Sequence, residues 1–207
     1  MLPTYQFIEE MRMRILTVLL ALMAAGTIAK AENLQTAIFA GGCFWCVESD
    51  FDKVQGVVDT TSGYTGGELQ NATYRNHGQH REAVRITFDA DIVSYDQLLY
   101  VFWRTVDATD AGGQFCDRGH SYLTGIYALD DEQAAAARAS KAALNGRLGA
   151  PIVTEIFPAS DFWEAENYHQ NYHVKNANRY NYYRTGCGRD ARVAALWGDE
   201  APFANDH

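Results

Sequence analysis

Thr36-Ala37-Ile38-Phe39-Ala40-Gly41-Gly42-Cys43-Phe44-Trp45-Cys46-Val47-Glu48 is the stretch on which the fold turns. Its first five residues are an apolar run closed by two glycines, which reads as a buried strand. From Cys43 the period changes. Cys43, Cys46, Val47, Phe51 and Val54 recur at helical spacing and give an amphipathic helix, which Gly56 stops. Cys43 therefore lies where a strand ends and a helix begins. First-turn amides lack intrahelical partners, and their partial positive charge is expected to lower the thiol pKa and make Cys43 a nucleophile. Gly41 and Gly42 let the backbone turn sharply and are expected to leave the sulfur approachable.

Working outward, a second strand is predicted over 57–61, followed by a glycine-rich turn over 63–67. Apolar and polar residues alternate strictly over 84–88, the mark of a half-buried strand. Ser94 caps a helix running to about 105, and a long loop over 106–121 holds three glycines and Cys116. A strand over 123–129, an alanine-rich helix over 131–147, a strand over 152–157 and a short helix over 165–175 follow. Strands and helices alternate loosely, which predicts an α/β (α+β) two-layer sandwich: a mixed β-sheet covered by helices, with an irregular C-terminal tail.

The chain has 207 residues, enough for one domain with a substantial core. Its formal net charge of −9 argues against nucleic acid or an anionic membrane as a partner. Met11-Arg12-Met13-Arg14 is a basic patch, 15–29 is almost wholly apolar, and Ala29-Lys30-Ala31 offers small residues to a signal peptidase. Residues 1–31 thus read as a secretory signal peptide cleaved before Glu32, with Met11 or Met13 as alternative starts. The apolar run is short for spanning a bilayer. The expectation is an exported, periplasmic monomer whose domain occupies 32–207, with no stable membrane association after cleavage. An even count of four cysteines in such a compartment suggests two structural disulfides, yet a domain of this size does not need staples.

Phe44 and Trp45 fit either core packing or a pocket for a small apolar group such as an S-methyl. Cys46 completes a Cys-x-x-Cys, open to a redox role or to burial as an inert thiol beside Val47. Glu82 shares the parity of Val84, Ile86 and Phe88, which points it inward or toward a cleft. Desolvation there raises a carboxyl pKa and makes it a proton donor near neutrality; the plain alternative is a solvated strand-end glutamate. His169 and His173 are four apart, but Gln170 stands where a zinc motif needs glutamate, so no metal site is expected. Cys187, between two glycines in a polar stretch, suits a mobile resolving thiol, a static disulfide or a free thiol.

At 41–48 the chain resembles the A-class peptide-methionine (S)-S-oxide reductases, whose signature is Gly-Cys-Phe-Trp followed closely by Glu. The resemblance continues through Gly63-Tyr64-Thr65-Gly66-Gly67, Thr73-Tyr74-Arg75 and His80-Arg81-Glu82-Ala83-Val84. It runs on through Tyr95-Asp96-Gln97-Leu98-Leu99, Asp117-Arg118-Gly119-His120-Ser121-Tyr122 and Ala165-Glu166-Asn167-Tyr168-His169-Gln170 to Cys187. It implies Cys43 as catalytic cysteine, Glu82 as essential acid, and Tyr74 and Tyr122 as ligands of the sulfoxide oxygen. It also implies Phe44 and Trp45 as methyl pocket, Asp117 as a site aspartate and Cys187 as resolving cysteine. The implied reaction leaves Cys43 as a sulfenic acid, which Cys187 converts to a Cys43–Cys187 disulfide for a thioredoxin-like reductant. The implied substrate is methionine (S)-S-oxide, free or in proteins, with no cofactor. Two departures concern the resolving thiol: Cys46 stands where many members carry glycine, and the tail has a single cysteine. The segment between Tyr74 and Glu82 is also shorter than in many relatives. The rival readings are a general thiol–disulfide oxidoreductase working through Cys43 and Cys46, and an exported binding module held by two disulfides.

Overall fold

The predicted junction forms: β1 (Leu34–Ala40) runs into Gly41-Gly42, Cys43 takes the N-cap position, and helix α1 (Phe44–Phe51) follows. The computed structural model describes residues 33–203, so the expected signal peptide lies outside the described residues. Next come β2 (Val57–Thr65), β3 (Arg81–Asp89), α2 (Tyr95–Trp103) and a small hairpin of β4 (Gly113–Gln114) and β5 (Asp117–Arg118). They are followed by β6 (Gly125–Ala128), α3 (Asp131–Ala143), β7 (Glu155–Pro158) and β8 (Phe162–Glu164). Three helices close the chain: α4 (Tyr172–Lys175), α5 (Ala177–Gly186) and α6 (Arg189–Trp197).

Six strands form one mixed sheet in the order β7-β6-β1-β3-β2-β8, antiparallel throughout except for the parallel β6–β7 pair. The period-two alternation decides what each face buries. Ala37 and Phe39 of β1, with Val84, Ile86 and Phe88 of β3, face the main core, where α1 and α2 pack. The Phe39 ring lies 5.4 Å from Phe51 of α1 and 5.0 Å from Phe102 of α2. Ile38, Ala40 and Ala83 point the other way, into a small cluster with Tyr127. Ser94 and Gln97 make the reciprocal capping box that starts α2, and Asp130 caps α3 by accepting from the Gln133 amide. No helix among the described residues is long and apolar enough to cross a membrane.

The two-layer mixed α+β architecture is the one the pattern predicts; its details differ, since the loop expected over 106–121 carries the β4–β5 hairpin, β8 is an added strand and the helix expected over 131–147 ends at Ala143. The glycine-rich turn over 63–67 is mostly strand, because β2 continues to Thr65. Gly63 is needed there since a Cβ would lie 2.5 Å from the Phe162 ring of β8. Of the helix expected over 165–175 only α4 forms, after Asn171 in the left-handed region at φ 53°. The irregular C-terminal tail is corrected to two helices, α5 and α6. The buried residues of α5 are Tyr180 and Arg184, so no apolar stripe marked it in the sequence.

Candidate active site

Cys43 is only 6% exposed and lines a cavity of about 80 Å³. Gly42 adopts φ +84° in the turn before it, and a Cβ there would lie 2.5 Å from Cβ of Gln114 in the β4–β5 hairpin. The glycines thus admit a packed hairpin and do not open the sulfur to solvent.

Three amides at the start of α1 are engaged elsewhere. Phe44 N–H donates to Oε2 of Glu82 at 3.0 Å, while the Cys46 and Val47 amides donate to the Cys43 carbonyl. The Cys43 side chain makes no capping hydrogen bond. Burial therefore dominates and pushes the thiol well above its ordinary range, helped by Cys46 and by the Glu82 carboxyl. The expected lowering by helix amides is corrected: burial outweighs them, and the Cys43 side chain accepts no capping hydrogen bond.

Glu82, at 2% exposure, faces inward from β3 as its parity predicts. Burial pushes its carboxyl up to about 8, against the opposing Phe44 hydrogen bond, so it is mostly protonated at neutrality. Phe44, Trp45, Tyr74, Tyr122 and Asp117 line the same cavity as Cys43 and Glu82. Burial, with the nearby Glu82 carboxyl, raises both tyrosines and keeps them as phenols able to donate. The Tyr74 amide donates to Glu166 at 3.2 Å, and His77 bridges the Tyr74 carbonyl and the Ser121 hydroxyl beside Tyr122. Trp45 Nε1–H donates to His169 Nδ1 at 3.0 Å, and its ring stacks on Tyr172 at 3.8 Å, fixing the indole as a cavity wall. Every site residue singled out by sequence, except the cysteines beyond Cys43, meets in this one cavity.

Tyr183 of α5 also lines it, and its hydroxyl donates to Oδ2 of Asp117. Sequence reading missed Tyr183; its position one helical turn before Cys187 was the available signal. Cys187, at the C-cap of α5, is disulfide-bonded to Cys116 in the hairpin with a Cα–Cα distance of 4.9 Å. This pairing differs from the Cys43–Cys187 disulfide that the resemblance implies. Cys43 and Cys46 are free, buried thiols.

A model of the family described as peptide methionine sulfoxide reductase matches residues 35–201. The chain belongs to that family. It is 55% identical over 181 residues to peptide methionine sulfoxide reductase MsrA 2 of Rhizobium meliloti, covering 86% of this chain and 91% of that one. It is 49% identical over 177 residues to MsrA of Bacillus pumilus, covering 83% and 99%. Among solved structures, methionine sulfoxide reductase A of Corynebacterium diphtheriae superposes with a TM-score of 0.67 at 31% identity, over 73% of this chain and 79% of that one. Mxr1 from Saccharomyces cerevisiae, solved in complex with Trx2, shares the fold with a TM-score of 0.51 at 21% identity, over 72% and 90%. The reductase thus reduces methionine sulfoxide.

Proposed function

We propose that the reductase acts on methionine (S)-S-oxide, free or in proteins, with Cys43 as nucleophile and Glu82 as acid. The observation that carries this reading is the convergence of a buried thiol, a protonated carboxyl and two phenols on one small, apolar-walled cavity. Phe44 and Trp45 receive the S-methyl group, and Tyr74 and Tyr122 donate to the sulfoxide oxygen as charge builds on it. The Cys43 sulfur attacks the substrate sulfur, Glu82 gives its proton to the oxygen, and the Cys43 thiol proton replaces it on Glu82. The S–O bond breaks to release hydroxide and leaves Cys43 bonded to the substrate sulfonium. The hydroxide then attacks the Cys43 sulfur, the S–S bond breaks with its electron pair going to methionine, and Cys43 is left as a sulfenic acid. No cofactor takes part.

Cys187 takes part in recycling, and a thioredoxin-type dithiol is the final reductant. Cys116 is exposed and Cys187 half-buried, so their disulfide is within reach of a protein reductant. Export to the periplasm is part of the same reading, supported by the basic patch, the apolar run over 15–29 and Ala29-Lys30-Ala31.

Reduction of a chiral sulfoxide by the purified protein tests the reading. The S epimer is consumed, Cys43→Ser is inert, and the exported form begins at Glu32. Equal turnover of both epimers contradicts the proposed stereochemistry.

A further inference from the structure

We propose that the four cysteines work as two consecutive pairs: Cys46 resolves the Cys43 sulfenic acid inside the protein, and Cys187 with Cys116 carries the oxidation to the surface. The relay rests on Cys43 being the nucleophile. Four observations lead to it.

The first is contact. Cys43 and Cys46 pack in one buried cluster on the first turn of α1, where the Cys46 amide donates to the Cys43 carbonyl at 3.1 Å, and Cys187 pairs with Cys116 of the hairpin. Tyr183, one helical turn before Cys187, lines the Cys43 cavity and is bonded to Asp117. A sulfenic acid on Cys43 therefore meets Cys46 before any other thiol. Cys43 at the N-cap and Cys46 one turn on have the Cys-x-x-Cys arrangement that redox helices close into a disulfide.

The second is charge. Asp50 of α1, fully buried, holds two buried guanidiniums, with Arg184 at 2.8 Å and Arg189 Nε at 3.6 Å. The Cys46 thiolate is favoured first by its neighbour Cys43 and then by Arg189 and Arg184, against burial and Asp50, and the thiolate is the form that attacks. Arg189 also donates to the Gly41 carbonyl at 3.2 Å, at the turn that presents Cys43.

The third is access. Cys46 is 2% exposed, so a Cys43–Cys46 disulfide is closed to a protein reductant and needs a carrier. The fourth is the carrier's position. Arg184 and Arg189, which reach Cys46, flank Cys187 in sequence, and Arg189 lies 4.7 Å over the Phe115 ring beside Cys116. Asp117, next to Cys116, lines the Cys43 cavity, and its carboxylate lies within 4.8 Å of both disulfide sulfurs.

The steps balance. Cys43–SOH and Cys46–SH condense to a disulfide and water. The Cys187 thiolate attacks that disulfide, releasing one thiol and forming a mixed disulfide. The Cys116 thiolate attacks Cys187, releasing the second thiol and forming Cys116–Cys187, which a thioredoxin-type dithiol reduces.

Rapid quenching and alkylation of the fully reduced full-length protein, after one equivalent of sulfoxide, tests the order. The expected first product is the peptide carrying Cys43 and Cys46, lighter by two hydrogens, with Cys116 and Cys187 still alkylated. Cys116–Cys187 appears afterwards. In Cys46→Ser the Cys43 sulfenic acid persists, trapped by dimedone, with its resolution roughly tenfold slower or more for loss of a thiol held in contact. The Cys116→Ser/Cys187→Ser double variant accumulates the Cys43–Cys46 disulfide, turns over with dithiothreitol and fails with thioredoxin. A Cys43–Cys187 peptide as first disulfide, with Cys46 still alkylated, overturns the relay while leaving Cys43 as nucleophile. Absence of methionine in the wild-type single turnover overturns the nucleophile itself.

Discussion

The carboxyl of Glu82 accepts the backbone N–H of Phe44 at 3.0 Å, so the amide that follows Cys43 serves the acid and not the thiol. A helix start next to a cysteine is ordinarily a means of ionising it. Here it orients a carboxyl whose burial keeps the proton on. The resting cavity therefore pairs a neutral thiol with a neutral acid, and the chemistry waits for a substrate whose S–O dipole supplies the charge to be stabilised.

Glu82→Gln keeps an acceptor for the Phe44 amide and removes the proton. Single-turnover reduction at neutral pH is expected to fall by roughly 100-fold, the scale of a lost general acid. In the wild type the same rate falls as pH rises through about 8, where Glu82 ionises, and this inflection is absent from the variant. Stopped-flow detection of methionine formation checks both; an unchanged rate retires Glu82 as the acid.

The raised carboxyl also sets a stability trend. Between the ordinary carboxyl range and about 8, folded Glu82 holds a proton that the unfolded chain releases, so its contribution to stability declines as pH rises. Glu48, pushed up to about 7 by burial, acts in the same sense. Glu82→Gln is therefore expected to gain in urea midpoint relative to wild type as pH rises, with the gain levelling above about 8. A difference independent of pH means that Glu82 is ionised in the folded protein.

Cys43, as a buried thiol held above its ordinary range, is expected to react slowly with iodoacetamide at neutral pH. Rapid labelling of Cys43 at neutral pH, measured by peptide mass, would falsify the neutral-thiol description.

Asp50 joins α1 to the C-terminal helices through Arg184 and Arg189, all three buried. Asp50→Ala leaves two guanidiniums with lost partners inside the protein and is expected to cost roughly 3–5 kcal/mol, the scale of a broken buried pair. Urea unfolding measures it. A loss under about 1 kcal/mol, the scale of an exposed pair, contradicts the buried network.

The sheet, α1 and the inward Glu82 were legible because period two and period 3.6 are written in residues that the core needs, such as Phe39, Val84 and Phe51. Phe44, Trp45, Tyr74, Tyr122 and Asp117 were placed by resemblance, and the geometry brings them together. The C-terminal helices were not legible, since α5 buries Tyr180 and an arginine whose partner, Asp50, is far away in sequence. Nor was the direction of the Cys43 shift, in which burial outweighs the helix amides. Cys116 read as one loop cysteine among glycines, because its partner is decided by where α5 ends.

Oxygen transfer to one sulfur is the claim on which the account depends most. The triple variant Cys46→Ser/Cys116→Ser/Cys187→Ser, given one equivalent of methionine (S)-S-oxide with dimedone, measures it by peptide mass. The account predicts one methionine released per enzyme and one dimedone adduct, on Cys43. Methionine release without an adduct on Cys43 would contradict it.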